Sequence, residues 1–272
     1  VLVFACVTVY TYYSYLKSII VYKQNMKLKL TIVTPVYNGE KYIEQTIKSI
    51  ISQTTLDYQY IVVDGGSTDN SRKIIKKYKK YIDKIIFKKD KSMYEALRTG
   101  FSYAKGDYLC WINSDDYLIE KNSIKNLIRV IKKTNALWLT CNTAIANKKQ
   151  KPKIFFPLSY PRFIIKNGFH SDCYWGFIQQ ENTIFSKKLY QKVNGINPSF
   201  RMAGDYDLWK RLSKYTGLTS IKINFACHRK SEGQLTDLDK YYEEIKQKRC
   251  KFKIFYPFRF IYSLIRYPLL TK

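Results

Sequence analysis

Apolar residues follow two alternating spacings along residues 28–141, and the alternation predicts an α/β fold. Short apolar runs at 30–34 and 60–63 indicate buried strands, whereas Ile43, Ile47 and Ile50 recur at the spacing of a helix face. The same reading predicts strands at 85–87, 108–112, 138–141, 182–185 and 221–225, and helices near 74–78, 93–104, 122–133 and 205–215. Strands and helices in this order imply a mostly parallel sheet with helices on both faces.

Three segments differ in pattern. Residues 27–235 form the predicted domain, within which 145–176 lose the alternation and predict a long irregular segment. Residues 1–26 are mainly apolar and aromatic, about the length that spans a bilayer. They are either a membrane anchor or a start assigned too early, with Met26 as the first residue. Residues 236–272 predict a basic, aromatic helical tail.

The net charge of the chain indicates which kinds of binding partner are favoured. The 48 Lys and Arg residues exceed the 21 acidic ones, and the net charge of +27 favours anionic partners such as nucleic acid, acidic lipid or phosphorylated substrates. The excess could equally solvate exposed faces. None of the six cysteines forms a C-x-x-C pair, which argues against a zinc site and favours a reducing compartment.

The basic excess is concentrated at the end of the chain. Residues 246–272 hold eight basic residues, seven aromatic residues and no acid. This mixture suits the headgroup region of an anionic bilayer, although a helix packed on the core with its lysines outward would look similar. A groove for nucleic acid has a comparable composition, but no nucleic-acid motif accompanies it, so no nucleic-acid partner is expected.

Three groups of acidic residues are candidates for chemistry. Asp64 ends the second predicted strand beside two glycines, where it could accept hydrogen bonds from a base or ribose, or simply form a turn. The pair Asp115 and Asp116 follows an apolar strand. A divalent cation would remove the repulsion between these two carboxylates, which otherwise form a solvated turn or a helix cap. Asp205 opens a predicted helix, as a cap or as a general base.

The order of these motifs resembles family 2 glycosyltransferases with the GT-A fold. The stretches that carry the resemblance are Thr31-Ile-Val-Thr-Pro-Val-Tyr-Asn-Gly-Glu40, Ile61-Val-Val-Asp-Gly-Gly-Ser-Thr-Asp69, Asp90-Lys-Ser-Met-Tyr-Glu-Ala-Leu-Arg98, Asn113-Ser-Asp-Asp116, Gln179-Gln-Glu-Asn-Thr-Ile-Phe185 and Ala203-Gly-Asp-Tyr-Asp-Leu-Trp209. Together they cover about residues 28–235. Gly204 departs from the Glu that many members carry before the base.

The resemblance implies a role for each matched residue. The nucleotide would be bound by Pro35, Tyr37, Asp64, Asp90 and Asp115. A divalent metal, Mn²⁺ or Mg²⁺, would be held by Asp115 and Asp116. Asp205 would be the catalytic base, with Gln180, Glu181 and Trp209 near the acceptor. His228 follows the last predicted strand, where relatives often have a histidine-containing loop, and could touch diphosphate or metal or simply be packed.

The implied reaction is an inverting, metal-dependent hexosyl transfer in surface polysaccharide biosynthesis. The donor would be a nucleotide sugar, a UDP-sugar in the first instance, and the acceptor a glycan or a lipid-linked glycan. The enzyme would be cytoplasmic and peripheral at the inner face of a membrane. The alternative is a catalytically inactive relative that binds a glycan or a membrane. A nucleotidyltransferase would need a basic pyrophosphate loop near the first strand, which is absent.

Overall fold

The computed structural model describes residues 28–146, 151–155, 158–171, 175–229 and 238–246, together with 257–258, 261–262 and 265. The segment 1–26 and most of the basic tail lie outside the described residues. No helix in the described part of the chain is both long and apolar enough to cross a bilayer.

The strands are β1 (Leu30–Val36), β2 (Tyr58–Asp64), β3 (Lys84–Phe87), β4 (Tyr108–Trp111), β5 (Tyr117–Leu118), β6 (Trp138–Thr140), β7 (Thr143–Ala146), β8 (Pro152–Phe155), β9 (Thr183–Ser186), β10 (Thr219–Ser220) and β11 (Ala226–Cys227). Seven of them form a mostly parallel central sheet in the order β10-β6-β9-β4-β1-β2-β3. Two small antiparallel sheets, β5 with β11 and β7 with β8, accompany it.

Helices cover both faces of this sheet, as the alternation predicted. They are α1 (Ile43–Ile51), α2 (Ser71–Lys77), α3 (Met93–Ser102), α4 (Ser123–Thr134), α5 (Arg162–Lys166), α6 (Lys187–Lys192), α7 (Gly204–Leu212) and α8 (Leu238–Glu244), with short 3₁₀ turns at Lys79–Tyr81 and Gln180–Asn182.

The core is double because successive side chains of a strand point to opposite faces. In β1, Ile32 belongs to the cluster under α1, α2 and α4, whereas its neighbour Val33 belongs to the cluster under α3, α5, α6 and α7. The second cluster contains an aromatic stack in which Trp209 lies between Trp111 and Trp138, with ring centroids 5.7 Å from each. The expected α/β architecture with a mostly parallel sheet is therefore confirmed.

Two sequence expectations were wrong in detail. The segment 145–176, expected to be irregular, contains the end of β7, the strand β8 and the helix α5. Proline is tolerated there because Pro152 begins β8, an exposed strand paired only with β7 among the described residues. The strand predicted at 221–225 is absent. Ile221 and Ile223 are buried, but they make only scattered backbone bonds to β6 and its neighbours, since apolar alternation reports burial rather than strand pairing.

One strand of the sheet runs against the others. β9 lies between β4 and β6 and pairs antiparallel with both. Its amino end therefore lies at the edge where the parallel strands have their carboxyl ends. Residues that precede β9 reach the same edge as residues that follow β1, β2 and β4.

Candidate active site

The carboxyl ends of the parallel strands bring the predicted nucleotide residues to one edge. β1 pairs with β2 and with β4, and Val36 lies opposite Asp64. Pro35 is buried within β1, whereas Tyr37, just beyond the strand, exposes 67% of its surface. Tyr37 is thus available to a ligand, and Pro35 shapes the backbone beneath it.

Asp64 is fully buried and only half satisfied. Its Oδ1 accepts hydrogen bonds from the backbone of Gly66 and Ser67, both at 3.2 Å, and from Arg72 Nε at 2.7 Å. Its Oδ2 is buried and has no hydrogen-bond partner among the described residues. A buried carboxylate oxygen without a donor is costly, so this oxygen is suited to a donor brought by a ligand.

Asp90 lies near Asp64 because Gly65, which has no side chain, leaves room for the Asp90 carboxylate. A Cβ on Gly65 would lie 2.6 Å from both carboxylate oxygens of Asp90, so only glycine permits this approach. Burial raises the pKa of Asp90 to about 6, with further contributions from the charges of Glu95 and Asp64. Its Oδ2 is also buried and has no hydrogen-bond partner in the part of the chain that the structure describes, which gives this pocket two oxygens that can accept from a base or ribose.

Asp116 is fully buried and is held at both its backbone and its carboxylate. Thr46 Oγ1 in α1 donates to its carbonyl at 2.6 Å. Its Oδ1 accepts from the backbone N–H of Arg229 at 3.0 Å, and Gln180 Nε2 lies 3.4 Å from Oδ2. The neighbouring Asp115 is only half-buried, and its carbonyl accepts from the Arg229 guanidinium at 2.9 Å.

His228 reaches Asp116 through strand register. β11 pairs antiparallel with β5, placing Cys227 opposite Tyr117, and continuation of that register puts His228 opposite Asp116. Its Nδ1 lies 3.2 Å from Asp116 Oδ1. The two residues are 112 positions apart in sequence, so their contact depends on the pairing of β11 with β5.

Glu181 reaches the same place because β9 is reversed. It lies in the 3₁₀ turn immediately before β9 and is 1% exposed. One ligand atom each from Asp116, Glu181 and His228 all lie within 4.8 Å of one another. Asp115, which was expected to bind metal as well, is not a member of this three-residue group.

The pKa values of Glu181 and His228 show that the trio takes up protons, which a bound metal ion would displace. Burial raises the pKa of Glu181 to about 8, and the charge of Asp116 adds to this effect. Burial lowers the pKa of His228, but the hydrogen bond and charge of Asp116 outweigh it and raise this pKa to about 9. Two crowded carboxylates and an imidazole are an oxygen-and-nitrogen donor set that Mn²⁺ or Mg²⁺ can use.

Arg229 ties this group to α1 and was not singled out from the sequence. Its Nη2 donates to Gln45 Oε1 at 2.9 Å, and its guanidinium lies over the rings of Tyr42 and Tyr117. It is 2% exposed. A buried guanidinium between two aromatic rings fixes the loop 113–116 firmly, because it cannot rotate into solvent.

Asp205 lies at the start of α7 in a different environment. Its Oδ1 accepts from the backbone N–H of Tyr206 at 2.8 Å, and the hydroxyl of Tyr94, in α3, lies 3.3 Å away. A Cβ on Gly204 would lie 2.7 Å from the Tyr94 ring. The glycine that departs from the family pattern is therefore required by the ring that holds Asp205.

Asp205 is partly accessible and has an altered proton affinity. Desolvation by the surrounding protein raises its pKa to about 6, against the opposing effect of the hydrogen bonds from Tyr206 and Tyr94. A carboxylate with such a pKa is ionised at neutral pH and is a better proton acceptor than an ordinary Asp.

The residues expected near the acceptor differ in how accessible they are to a ligand. Gln180 lies beside Asp116, and its Oε1 is buried without a partner in the described part of the chain. Trp209 is 1% exposed within the aromatic stack of the core. An acceptor could reach this ring only if the stack opened, so the structure gives Trp209 a packing position.

Comparison with known proteins identifies similar chains. WfgD of Escherichia coli, a UDP-Glc:alpha-D-GlcNAc-diphosphoundecaprenol beta-1,3-glucosyltransferase, is 25% identical over 80% of this chain and 83% of its own. Residues 1–349 of TarS from S. aureus, in complex with UDP-GlcNAc, superpose with a TM-score of 0.64 and 18% identity, over 79% of this chain and 64% of that fragment. The mannosyltransferase PcManGT of Pyrobaculum calidifontis, in complex with GDP-Man and Mn²⁺, gives a TM-score of 0.59 and 13% identity, over 83% and 66%.

The extent of these matches differs from one relative to another. The chain spans 15% of the length of one curated relative that it matches and 62% of another. The two structural likenesses establish the fold, which is that of GT-A enzymes. The family model described as Glycosyl transferase family 2 matches residues 31–193, more than half of the chain and every nucleotide-side motif. The chain belongs to glycosyltransferase family 2.

Proposed function

We propose that this protein transfers a sugar, with inversion, from a nucleoside diphosphate donor to a glycan or lipid-linked acceptor during polysaccharide biosynthesis. The observation that carries the proposal is the convergence of Asp116, Glu181 and His228 at the edge of the sheet where the nucleotide residues lie. The three residues come from segments that are distant in sequence. If Asp116 only formed a turn or capped a helix, it would not need Glu181 and His228 beside it.

Asp116, Glu181 and His228 are the residues that would hold the divalent metal. Two carboxylates and an imidazole fit a hard or borderline cation, and the cation would offset the repulsion between the buried carboxylates. A bound cation would neutralise the negative charge that develops on the departing nucleoside diphosphate. Gln180, within 3.4 Å of Asp116, would orient the group.

On the donor side, Asp64 and Asp90 would bind the base and ribose through their unsatisfied oxygens. Tyr37 would cover the nucleotide from the exposed end of β1, and Asp115 would contact the ribose. WfgD and TarS, whose names or complexes include UDP-glucose and UDP-GlcNAc, support a UDP-sugar as donor. The diphosphoundecaprenol acceptor of WfgD supports a lipid-linked acceptor.

On the acceptor side, Asp205 would act as the base. The acceptor hydroxyl would lose its proton to the Asp205 carboxylate while its oxygen forms a bond to the anomeric carbon. The bond from that carbon to the diphosphate oxygen would break on the opposite face, which inverts the configuration. The pKa of about 6 leaves Asp205 ionised at neutral pH, as this role requires.

A panel of nucleotide sugars tests this function. Thermal shift and donor hydrolysis would be measured for UDP-, GDP- and dTDP-sugars with Mn²⁺, with Mg²⁺ and with excess chelator. We expect one donor class to stabilise the protein in a metal-dependent way and to be turned over. Donor binding without any turnover, with or without acceptor lipid, would favour the inactive binding relative instead.

The place of action proposed is an anionic membrane surface. Three side chains at one end of the chain, Phe258, Ile261 and Ile265, are exposed, at the spacing of one helix face. Phe163 of α5 is also exposed, and its helix lies beside Tyr262 along a shallow groove that includes Arg162 and Lys166. Exposed apolar groups bordered by basic ones suit the headgroup region of a bilayer.

Vesicle sedimentation tests the membrane surface. Truncation after residue 245 removes the basic residues of 246–272 and leaves α8 in place. The full-length protein should sediment with anionic vesicles and lose part of that binding at high salt, because each basic residue contributes about 1 kcal/mol at most. The truncated protein should stay in solution and still bind donor. Equal sedimentation of both proteins would assign the anchoring role to another segment, with residues 1–22 the next to test.

A further inference from the structure

We propose that Glu244, in α8, is a positioning residue that holds the start of α7 and thereby sets the placement of Asp205. The inference rests on the proposed function, since it concerns the base of that reaction. Glu244 lies in the segment 236–272, which the sequence had assigned to a separate tail.

The geometry is a carboxylate clamp on three consecutive backbone amides. Glu244 Oε1 accepts from the N–H of Arg201 at 2.7 Å, and Oε2 accepts from those of Met202 and Ala203, both at 2.9 Å. Hydrogen bonds to an ionised acceptor are about twice as strong as neutral ones. A single side chain therefore orders the whole turn that leads into α7.

The clamp reaches the start of α7 at the N–H of Ala203, whereas the N–H of Tyr206 in the first turn is accepted by Asp205 itself. α7 begins after Ala203, whose side chain cannot cap the helix and makes no capping hydrogen bond. The N–H groups at a helix start need acceptors, and the partial positive charge there favours a nearby anion. The Glu244 carboxylate supplies an acceptor and a negative charge, although it comes from a helix 41 to 43 residues further along the chain.

The same turn is held from the other side by α3. The Tyr94 hydroxyl lies 3.0 Å from the Met202 carbonyl and 3.3 Å from Asp205 Oδ1. α8 also contributes Tyr241, whose ring packs edge-on against Tyr206 with centroids 6.3 Å apart. Asp205 is thus positioned between a fixed hydroxyl and a clamped turn.

The clamp also acts on the proton affinity of the base. Among the described residues, the titratable groups that face Asp205 are Tyr94 from α3 and Tyr241 and Glu244 from α8. Desolvation is the main cause of the raised pKa of Asp205, and the negative charge of Glu244 raises it further. Loss of that charge should lower the pKa of Asp205 and weaken it as a base.

The substitution Glu244→Gln, with Glu243→Gln as the matched control, separates this role from a general charge effect. Both changes remove one negative charge from α8, but Glu243 is exposed and clamps nothing in the described structure. We expect Glu244→Gln to lower kcat by about 5- to 100-fold with little change in donor KM, the range for a slightly misplaced catalytic group. The acidic limb of its pH–rate profile should move below about pH 6. Glu243→Gln should match the wild type in kcat, in donor KM and in the position of the acidic limb.

Hydrogen exchange gives a readout that does not depend on turnover. The amides of Arg201, Met202 and Ala203 should exchange about tenfold faster or more in Glu244→Gln than in Glu243→Gln, because a charge-assisted hydrogen bond to each is lost. If Glu244→Gln fails to fold, Glu244→Asp keeps the charge on a shorter side chain. It should lower kcat while leaving the acidic limb in place.

The outcomes are distinguishable from failure of the proposed function. A wild-type protein that turns over no donor would overturn the proposed function. The hydrogen-exchange experiment would still show whether Glu244 holds the amides of residues 201–203. If the wild type is active and Asp205→Asn is not, but Glu244→Gln or Glu244→Asp behaves like the wild type in kcat and exchange, then Glu244 does not position the base.

Discussion

Desolvation raises the pKa of both Asp116 and Asp205, but the protein surrounds the two carboxylates differently. Asp116 is fully buried, and its oxygens face the imidazole of His228, the backbone of Arg229 and the amide of Gln180. Asp205 remains partly accessible and faces a tyrosine hydroxyl, with no cationic side chain among the described residues that bond to it.

The different surroundings indicate whether each carboxylate is suited to bind a metal ion or a proton. Around Asp116, the carboxylate of Glu181 and the imidazole of His228 lie close enough to share a divalent cation, which on the proposed function would bind there. Around Asp205, burial and a nearby negative charge raise the affinity for a proton instead. On the proposed function, one fold would make a cation site and a base from the same residue type.

The largest effect is expected for Asp116→Asn. The change removes the charge while keeping the size of the side chain, so it should abolish transfer and eliminate the Mn²⁺-dependent thermal shift produced by donor. The loss should exceed that of any single change at the base. Full activity of the wild-type protein in excess chelator would contradict the assignment of Asp116 to a required metal.

Asp205→Asn should come next. An asparagine can still cap α7, but it cannot take the acceptor proton, so turnover should fall by about 10²- to 10⁴-fold. Donor affinity, measured by calorimetry, should be nearly unchanged because the proposed donor contacts lie elsewhere. Normal turnover would move the search for the base to Glu181.

The acidity of Asp205 predicts a pH limb that an ordinary Asp would not produce. Only the ionised carboxylate accepts a proton, and its pKa is raised to about 6 from 3.8. With donor and Mn²⁺ in excess, the rate should therefore fall about tenfold per pH unit below about pH 6. A rate that stays constant down to pH 4 would show that burial does not tune this group in solution.

The smallest effect expected is that of Gly204→Ala. The added methyl would meet the Tyr94 ring at 2.7 Å, so the ring or α7 must shift. Overpacking of this kind costs about 1–3 kcal/mol of unfolding free energy, and turnover should fall as Asp205 moves. Gly217→Ala is the control because nothing lies within 4 Å of its added methyl. Equal melting temperatures for the two variants would show that the Tyr94 contact is loose.

Sequence reasoning predicted the parts of this site that depend on neighbouring residues. Apolar runs located β1, β2 and β4, and strand ends located Asp64 and Asp116, because parallel strands share one edge. The direction of β9 leaves no trace in its own four residues, so Glu181 could not be placed beside Asp116 from the sequence.

The remaining parts depend on contacts between distant segments. Tyr94 and Asp205 are 111 positions apart, and Glu244 looked like part of a basic tail. A capping carboxylate usually lies within a few residues of the helix that it caps, and Ala203 gives no such signal. Nothing in residues 201–203 themselves indicates that a carboxylate 41 to 43 positions further along accepts from their backbone N–H groups.

The reversed strand β9 also sets an order of events during synthesis. Strands β1 to β4 pair only with one another until residues 183–186 emerge from the ribosome, since β6 reaches the sheet solely through β9 in the described order. Strands β1 to β4 can therefore pack together early. β6 keeps unpaired edges until β9, about 40 residues further along the chain, has been synthesised. A pause in translation between β6 and β9 would therefore leave that strand edge open to pairing with neighbouring chains.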